Sequence, residues 1–450
     1  SSEEPAGAQC AAWFAASARR ALLAQVGVGT LDQALLAVLP VRHAALRLAG
    51  LARKVLVVDE VHAFDPYMRR ELVALLEFHA ALGGSAILLS ATLPIKLRRS
   101  LAQAFRKGLG ALPAELISSD YPLATVIARD AAKEEACGVR PGLARSVAVE
   151  RLPDAESALA RITAAAEAGA AVAWVRNTVD DAIAATDALR GRGLDPMLFH
   201  ARYALADRLA IEETVLRRFG PTADPAARQG VLVATQVVEQ SLDLDFDLLV
   251  TDLAPADLLI QRAGRLWRHA RPKEQRPLAG PPRMLVVSPE PVDDPPASWL
   301  AGHAGTAAVY RDPALLWRSA RAVFRDGAIR APEDLRRLIE EVADDETPGA
   351  VPPSLARAAE EAAGNSQAKT AQAAMNVLDF AKGYRRDAGL WEADTRTPTR
   401  LEDRPQVTLR LARVREDGAV VPYAEADDPA RAWALSEVMV PEARVAECPA

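Results

Sequence analysis

The chain has 450 residues, a length for about three domains. Half of them are hydrophobic, the formal net charge is −6 and the pI is near 5.7, which excludes a protein that binds nucleic acid through overall basicity and leaves open only a local basic groove. Cys10, Cys137 and Cys448 stand too far apart for a zinc site or a disulfide framework, and no signal peptide or apolar run of about 20 residues is present, so a cytoplasmic protein with no membrane partner is expected.

Taken in order, residues 1–30 open polar, then bring Trp13-Phe14 and an apolar run from Ala21 to Val28 that ends at Gly29-Thr30. Apolar residues at helical spacing over Leu31–Leu51 predict a helix, and Pro40 splits it into two short ones. Lys54–Ala63 reads KVLVVDEVHA. Its unbroken apolar run Val55–Val58, ending in Asp59 and Glu60, predicts a strand buried on both faces of a parallel sheet. Asp65-Pro66 starts a helix that runs to about Leu82 and stops at Gly83-Gly84. A second buried strand, Ala86–Leu89, closes on Ser90-Ala91-Thr92, and Leu93-Pro94 leads into a further helix.

Asp120–Thr125 and Val139–Val149 read as a connecting region. A second βα series follows. It has helices over 155–168, from Thr178 to Leu189, over Leu205–Phe219 and over Ala256–Trp267. Its strands are Ala171–Val175, Pro196–Phe199, Val231–Ala234, Leu248–Val250 and, last, Met284–Val287. Strands alternating with helices predict parallel sheets with right-handed crossovers. Residues 270–298, rich in Pro and charge, read as a linker or surface excursion; Ser319–Ala343 and Pro353–Ala381 read as helices and Val407–Val414 as an alternating strand. The expected organisation is an incomplete α/β domain over 1–135, a second over 136–298, and a C-terminal helical and β accessory region over 299–450.

Ligands of parallel sheets bind beyond the carboxyl ends of the strands, where Asp59 and Glu60 stand. One carboxylate there suits Mg²⁺, and a second suits a water that must be oriented and deprotonated. Alone, the tetrad Asp59-Glu60-Val61-His62 equally fits a strand end with solvated acids. Ser90 and Thr92 have hydroxyls that reach toward such acids, although the tripeptide alone also reads as a simple turn. On the expected helix, Gln261, Arg265 and Arg268 fall at i, i+4 and i+7 and share one face. Such a stripe neutralises a γ-phosphate if aimed at a cleft, or is a basic solvated face if not. Thr235–Asp243 after its strand offers hydroxyls and main-chain N–H groups to phosphates, or is a polar strand exit. His43 and His79 have no partner at metal spacing. Trp174, Trp267, Trp317 and Trp433 suit base stacking or, given their apolar neighbours, core packing.

Together these segments resemble the superfamily 2 helicases of the DExH kind, and within them the helicase part of the CRISPR type I interference helicase-nuclease. The resemblance rests on Val28–Gln33, Asp59–Ala63, Ser90–Pro94, Trp174–Thr178, Phe199–Tyr203, Thr235–Asp243 and Gln261–His269, whose order and spacing match over roughly 20–290. Leu316–Arg318 and Trp433–Glu437 are similar to that family's C-terminal part. The resemblance implies two RecA-like domains with ATP and Mg²⁺ as cofactors. It implies Asp59 for Mg²⁺, Glu60 for the water, Arg265 and Arg268 on the γ-phosphate, and Gln261 as a bridge to the acids. His62, Ser90, Thr92, Asp243 and Arg262 would line the nucleotide. Thr30, Arg176, Asn177, His200 and Thr235 would lie near single-stranded DNA. It implies an ATP-dependent DNA translocase of antiviral defence, working with a guide-RNA surveillance complex.

The pattern departs from the family at one point. A P-loop, G-x-x-x-x-G-K-[ST], is expected before these motifs, yet no Gly-Lys pair occurs in the 450 residues, nor a His-Asp pair with metal-ligand context for an HD nuclease. The expectation is a helicase truncated before its P-loop, or one half of a split enzyme whose other chain supplies P-loop and nuclease. Two rivals stand beside the active motor. One is a catalytically silent module that binds DNA or the surveillance complex. The other is a DExH RNA helicase, against which Val28–Gln33 and the tail speak.

Overall fold

A computed structural model describes residues 22–140, 142, 144–239, 242–344, 347, 350–382, 398–401 and 405–445. Trp13-Phe14, Cys10 and Cys448 lie outside them. The chain divides into two compact units, Ser1–Val139 with Glu360–Leu401, and Arg140–Ala359 with Glu402–Ala450.

In the first unit, β1 (Val55–Val58) and β2 (Ser85–Leu88) pair in parallel. The helices Leu31–Leu35, Ala44–Leu51, Pro66–Ala81 and Ile95–Gly108 accompany them, with an antiparallel hairpin of β3 (Leu123–Ile127) and β4 (Ala132–Ala136). The two short helices around Pro40 appear as expected. So does the Asp65 cap, whose carboxylate accepts from the Met68 N–H at 2.9 Å with Pro66 in the first turn. Val58, Leu72, Leu75, Leu76 and Leu101 form the core, with Leu56, Ala86 and Leu88 packed against it.

The expected burial on both faces of β1 does not hold. Side chains alternate across a strand, and only one face meets the helices. Val55 and Val57 are 60% and 58% exposed, and Ile87 and Leu89 are 48% and 47% exposed.

The second unit is built on a seven-stranded sheet. Its strands are β5 (Arg145–Leu152), β6 (Ala171–Val175), β7 (Met197–Phe199), β8 (Gly230–Ala234), β9 (Leu248–Asp252), β10 (Arg283–Val287) and β11 (Ala328–Ala331). Their order is β11-β5-β10-β9-β6-β8-β7, all parallel except β11. β6 and β9 are buried along their whole length, as a central parallel strand demands. Thr178 caps the helix Val179–Arg190 by accepting from Asp181 N–H.

Several expectations give way here. The supposed connector over Val139–Val149 runs into β5, whose Val147 and Val149 turn into the core. The supposed helix over Ser319–Ala343 is two, Pro313–Asp326 and Leu335–Ala343. Gly327 at φ 60° ends the first, and β11, not β10, is the last strand of the sheet. The helix expected to reach Trp267 is only Ala256–Ala263. Beyond it, Leu266 bridges to Phe246 and Trp267 takes a left-handed conformation, φ 47°. The region after residue 298 is not a body of its own: 299–359 and 402–450 belong with the second unit and 360–401 with the first. β11 explains the former. Leu378, in the first unit's core and bonded to Val38 O at 2.8 Å, explains the latter. The strand expected over Val407–Val414 is β12 (Gln406–Arg410) and β13 (Ala412–Val414), paired to β15 (Glu437–Pro441) and β14 (Val420–Pro422).

Candidate functional site

In the first unit the acids stand where β1 ends. Asp59 is exposed, and one of its oxygens accepts the Glu60 N–H at 2.9 Å. Glu60 itself is left-handed, φ 53°, a conformation costing a non-glycine residue about 1 kcal/mol or more. That turn carries the Glu60 carboxylate back to 3.5 Å from His62 Nδ1, which is in turn 2.9 Å from Ser90 Oγ. The backbone fixes the same meeting, because Val61 N–H donates to Leu89 O. Acid pair, histidine and serine thus form one connected group. Thr92 is buried beside it, and its hydroxyl has no hydrogen-bond partner among the described residues.

Thr30 precedes the helix Leu31–Leu35 with its side chain exposed and making no cap. Asp32 behind it receives Arg400 through two bonds of 2.9 Å and Thr399 at 2.8 Å. Burial pushes the Asp32 carboxyl up, but the bonds from Arg400 and Thr399 and the Arg400 charge hold it below its ordinary value. No signal in the sequence marks this clasp, whose halves lie 367 and 368 positions apart.

In the second unit the segment after β8 meets the ends of β6 and β9. Asn177 is buried, and its amide donates to Leu253 O at 2.8 Å and Thr306 Oγ1 at 2.9 Å. Arg176 donates to Asp252 and lies over the Trp174 ring. Thr235 is buried, its N–H on Phe199 O. His200 is buried and stacked on Tyr203, with ring centroids 4.2 Å apart. Its Nδ1 accepts the Arg202 N–H, so the ring proton of the neutral form sits on Nε2; burial, then the Arg202 charge, keep the imidazole below its ordinary pKa.

Arg262 is the most enclosed arginine among the described residues. Its guanidinium binds Glu239 at 2.6 Å and also reaches Thr251 Oγ1, Asp252 O, Asn177 Oδ1 and Tyr310 OH. It braces β9 to the segment after β8, a use that leaves no donor for a nucleotide.

The early end of the helix separates the three residues expected on one face. Gln261 sits in its last turn, half-buried, whereas Arg265 and Arg268 leave from the turn beyond. Arg265 donates to Glu239 O at 2.6 Å and to Leu242 O. Arg268, 41% exposed, binds Asp243, which also receives His269 at 2.9 Å. Burial pushes the Asp243 carboxyl up, but bonds from His269 and Arg268 and their charges hold it low. Sequence reasoning missed what lies beneath: Asp245 and Asp247, buried and bound to Arg228 and Arg276, with Arg271 also on Asp245. The alternating acids Asp243, Asp245 and Asp247 ahead of β9 are the signal that pointed to it.

Trp174 and Trp317 are core residues. His79 is buried and donates from Nε2 to Ser85 O. Among the described residues no three His, Cys, Asp or Glu side chains gather in a metal-holding group, and no helix is long and apolar enough to cross a membrane. Asp59 is exposed at the strand end. That fits Mg²⁺, which is commonly held by one or two carboxylates together with substrate phosphates.

Comparison with known proteins gives this geometry a context. Residues 168–271 match the family model described as CRISPR-associated nuclease/helicase Cas3, C-terminal. The CRISPR-associated endonuclease/helicase Cas3 of Thermus thermophilus is 38% identical over 392 residues, 78% of this chain and 41% of that protein. Its counterpart from Escherichia coli K12 is 37% identical over 360 residues, 76% of this chain and 38% of that protein. The chain therefore spans about two fifths of the length of these relatives. The crystal structure of T. fusca Cas3-AMPPNP matches with a TM-score of 0.80 and 30% identity, covering 95% of this chain and 52% of that one. A chain of a CRISPR RNA-guided surveillance complex in a pre-nicking state matches with a TM-score of 0.75 and 30% identity, over 94% and 54%. By sequence and by α/β fold, this chain is a relative of the helicase portion of the Cas3 nuclease/helicases.

Proposed function

We propose that the chain is the motor portion of a CRISPR antiviral helicase, an ATP-dependent translocase on single-stranded DNA. The observation that carries this reading is the connected group Asp59, Glu60, His62 and Ser90 at the end of a parallel strand. Asp59 would hold Mg²⁺, which neutralises charge on phosphate oxygens when bound. Glu60 orients a water and takes its proton. His62, within reach of both Glu60 and Ser90, relays the state of the acid to the segment after β2. In the second unit, Arg265 and Arg268 supply cations for a γ-phosphate, and Arg268 exchanges the Asp243 carboxylate for phosphate oxygens. Thr30, Arg176, His200 and Thr235 mark the path of the strand, with Asn177 and Arg262 as the buried braces beneath it. The partners are single-stranded DNA and a guide-RNA surveillance complex, and the compartment is the cytoplasm.

A second reading is a split or silent form of the same motor. One observation favours it: the aliphatic face of β1 and β2 is exposed, and it is one that parallel sheets cover. In it, a polypeptide supplying a P-loop completes the first sheet. Isothermal titration of the chain alone with ATP and Mg²⁺, followed by a DNA-stimulated ATPase assay, separates the two. Submillimolar binding with DNA-stimulated turnover supports the self-sufficient motor. No binding until a P-loop polypeptide is added supports the split one. Stimulation by RNA and not by DNA would overturn both.

A further inference from the structure

The turn that carries Arg265 and Arg268 is not helical, and its backbone is strained at Trp267, φ 47°. A bulky residue holds that conformation only where the surroundings over-determine it. The restraints are visible. Phe246 N–H donates to Arg265 O at 2.9 Å, and Trp267 N–H donates to Phe246 O at 3.1 Å. The carbonyls on either side of Arg265 go elsewhere. Gly264 O and Leu266 O both accept from the guanidinium of Arg145, at 3.1 Å through Nη2 and 3.2 Å through Nη1.

Arg145 opens β5 and is 119 positions from Gly264. The planar fork spans two carbonyls two residues apart, which a lysine ammonium does not match. Gly264 completes the fit: a Cβ there would lie 2.9 Å from Gln261 O and 3.5 Å from Arg145 Nη2. Arg145 lies close enough to Arg268 for their charges to repel, and Arg268 pairs with Asp243.

We propose that Arg145 is a positioning residue for Arg265 and Arg268, fixing the turn from which both cations are presented to phosphate. This rests on the reading of those two arginines as phosphate contacts. Arg145 touches neither nucleotide nor DNA in this scheme and acts only through the turn.

The test is Arg145→Met and Arg145→Lys in the full chain. Hydrogen–deuterium exchange at the amides of 264–268 is expected to rise at least tenfold in Arg145→Met, and by an intermediate amount in Arg145→Lys. Exchange in β6, β8 and β9 should stay within twofold. In a preparation that hydrolyses ATP, completed by a P-loop polypeptide if the chain requires one, kcat falls at least tenfold with KM for ATP within threefold. Unchanged exchange over 264–268, or an equal rise throughout the sheet, overturns the proposal, the latter because it marks a merely structural role. Arg265→Ala serves as the reference. If it abolishes turnover while Arg145→Met does not, the positioning role alone fails. If neither variant affects turnover, the phosphate-contact reading fails and the proposal with it.

Discussion

Glu71 offers a quantitative check on how the first unit is built. It lies in the helix Pro66–Ala81 with none of its surface exposed, and neither carboxylate oxygen has a hydrogen-bond partner among the described residues. Burial, followed by the charges of Asp65 and Asp32, pushes its pKa up to about 9 from an ordinary 4.5. The folded protein therefore keeps a proton that the unfolded chain releases. Because the folded value is the higher one, the stability at stake is fully present below pH 4.5 and is lost as pH rises toward 9. The loss runs at roughly 1.4 kcal/mol per pH unit, so by pH 7 it amounts to about 3 kcal/mol. Glu71→Gln keeps the shape of the neutral acid and removes the titration. Any cost of the buried amide is independent of pH and drops out of the slope. Urea unfolding followed by circular dichroism at pH 5, 7 and 8.5 gives the stability of each protein. The difference, variant minus wild type, should climb by about 3 kcal/mol between pH 5 and pH 7 and continue to climb to pH 8.5. A difference that does not change with pH would mean that Glu71 is ionised and paired in solution, and the reasoning from burial would be refuted.

Three further outcomes follow from the same packing. Asp65→Ala removes the cap on that helix and should cost about 1 kcal/mol, while the loss tied to Glu71 should level off at a lower pH, since the Asp65 charge helps raise the Glu71 pKa; urea midpoints from pH 5 to pH 9 read both effects. Arg262→Met strands the buried Glu239 carboxylate and should destabilise the second unit by about 3–5 kcal/mol, with part recovered in Arg262→Met/Glu239→Gln; a double-mutant cycle by urea unfolding measures the recovery. Gly264→Ala drives a Cβ against Gln261 O and should cost about 1–3 kcal/mol, read in the same way.

Much of this architecture was legible because local chemistry decided it. Asp65-Pro66 and Thr178 announce helix starts, and the hydrogen bonds they were expected to make are present. Runs such as Ala171–Val175 are strands because only a buried central strand tolerates that composition. The failures share a different cause. Periodicity carried the helix of Gln261 on to Trp267, but the chain leaves it at Gly264, because Leu266 and Trp267 pair with Phe246 and Arg145 takes two carbonyls. The three residues drawn on one helix face consequently come from two kinds of backbone. β5 hid behind polar residues that alternate with Val147 and Val149, and its role is set by β10 and β11, strands far away in sequence. The exposed side of β1 was invisible for the opposite reason. The sequence of a strand reports what a face is made of, not whether anything covers it.

Site residues divide along the same line. Asp59, Glu60, His62 and Ser90 are singled out by motif, and the structure brings them together through one left-handed residue and one cross-strand backbone bond. The clasp of Asp32 by Thr399 and Arg400, and the brace of Arg262 by Glu239 and Thr251, depend on tertiary contacts that no local pattern encodes.

The central claim is that the acids of the first unit and the arginines of the second are both needed for ATP hydrolysis. Its most direct measurement is the rate of ATP hydrolysis with single-stranded DNA and Mg²⁺, for wild type, Glu60→Gln and Arg268→Ala, each combined with a polypeptide supplying a Gly-Lys-Ser/Thr loop. Each variant is expected to lose turnover by about 10²-fold or more while binding DNA as wild type does. Wild-type turnover in either variant would contradict the account.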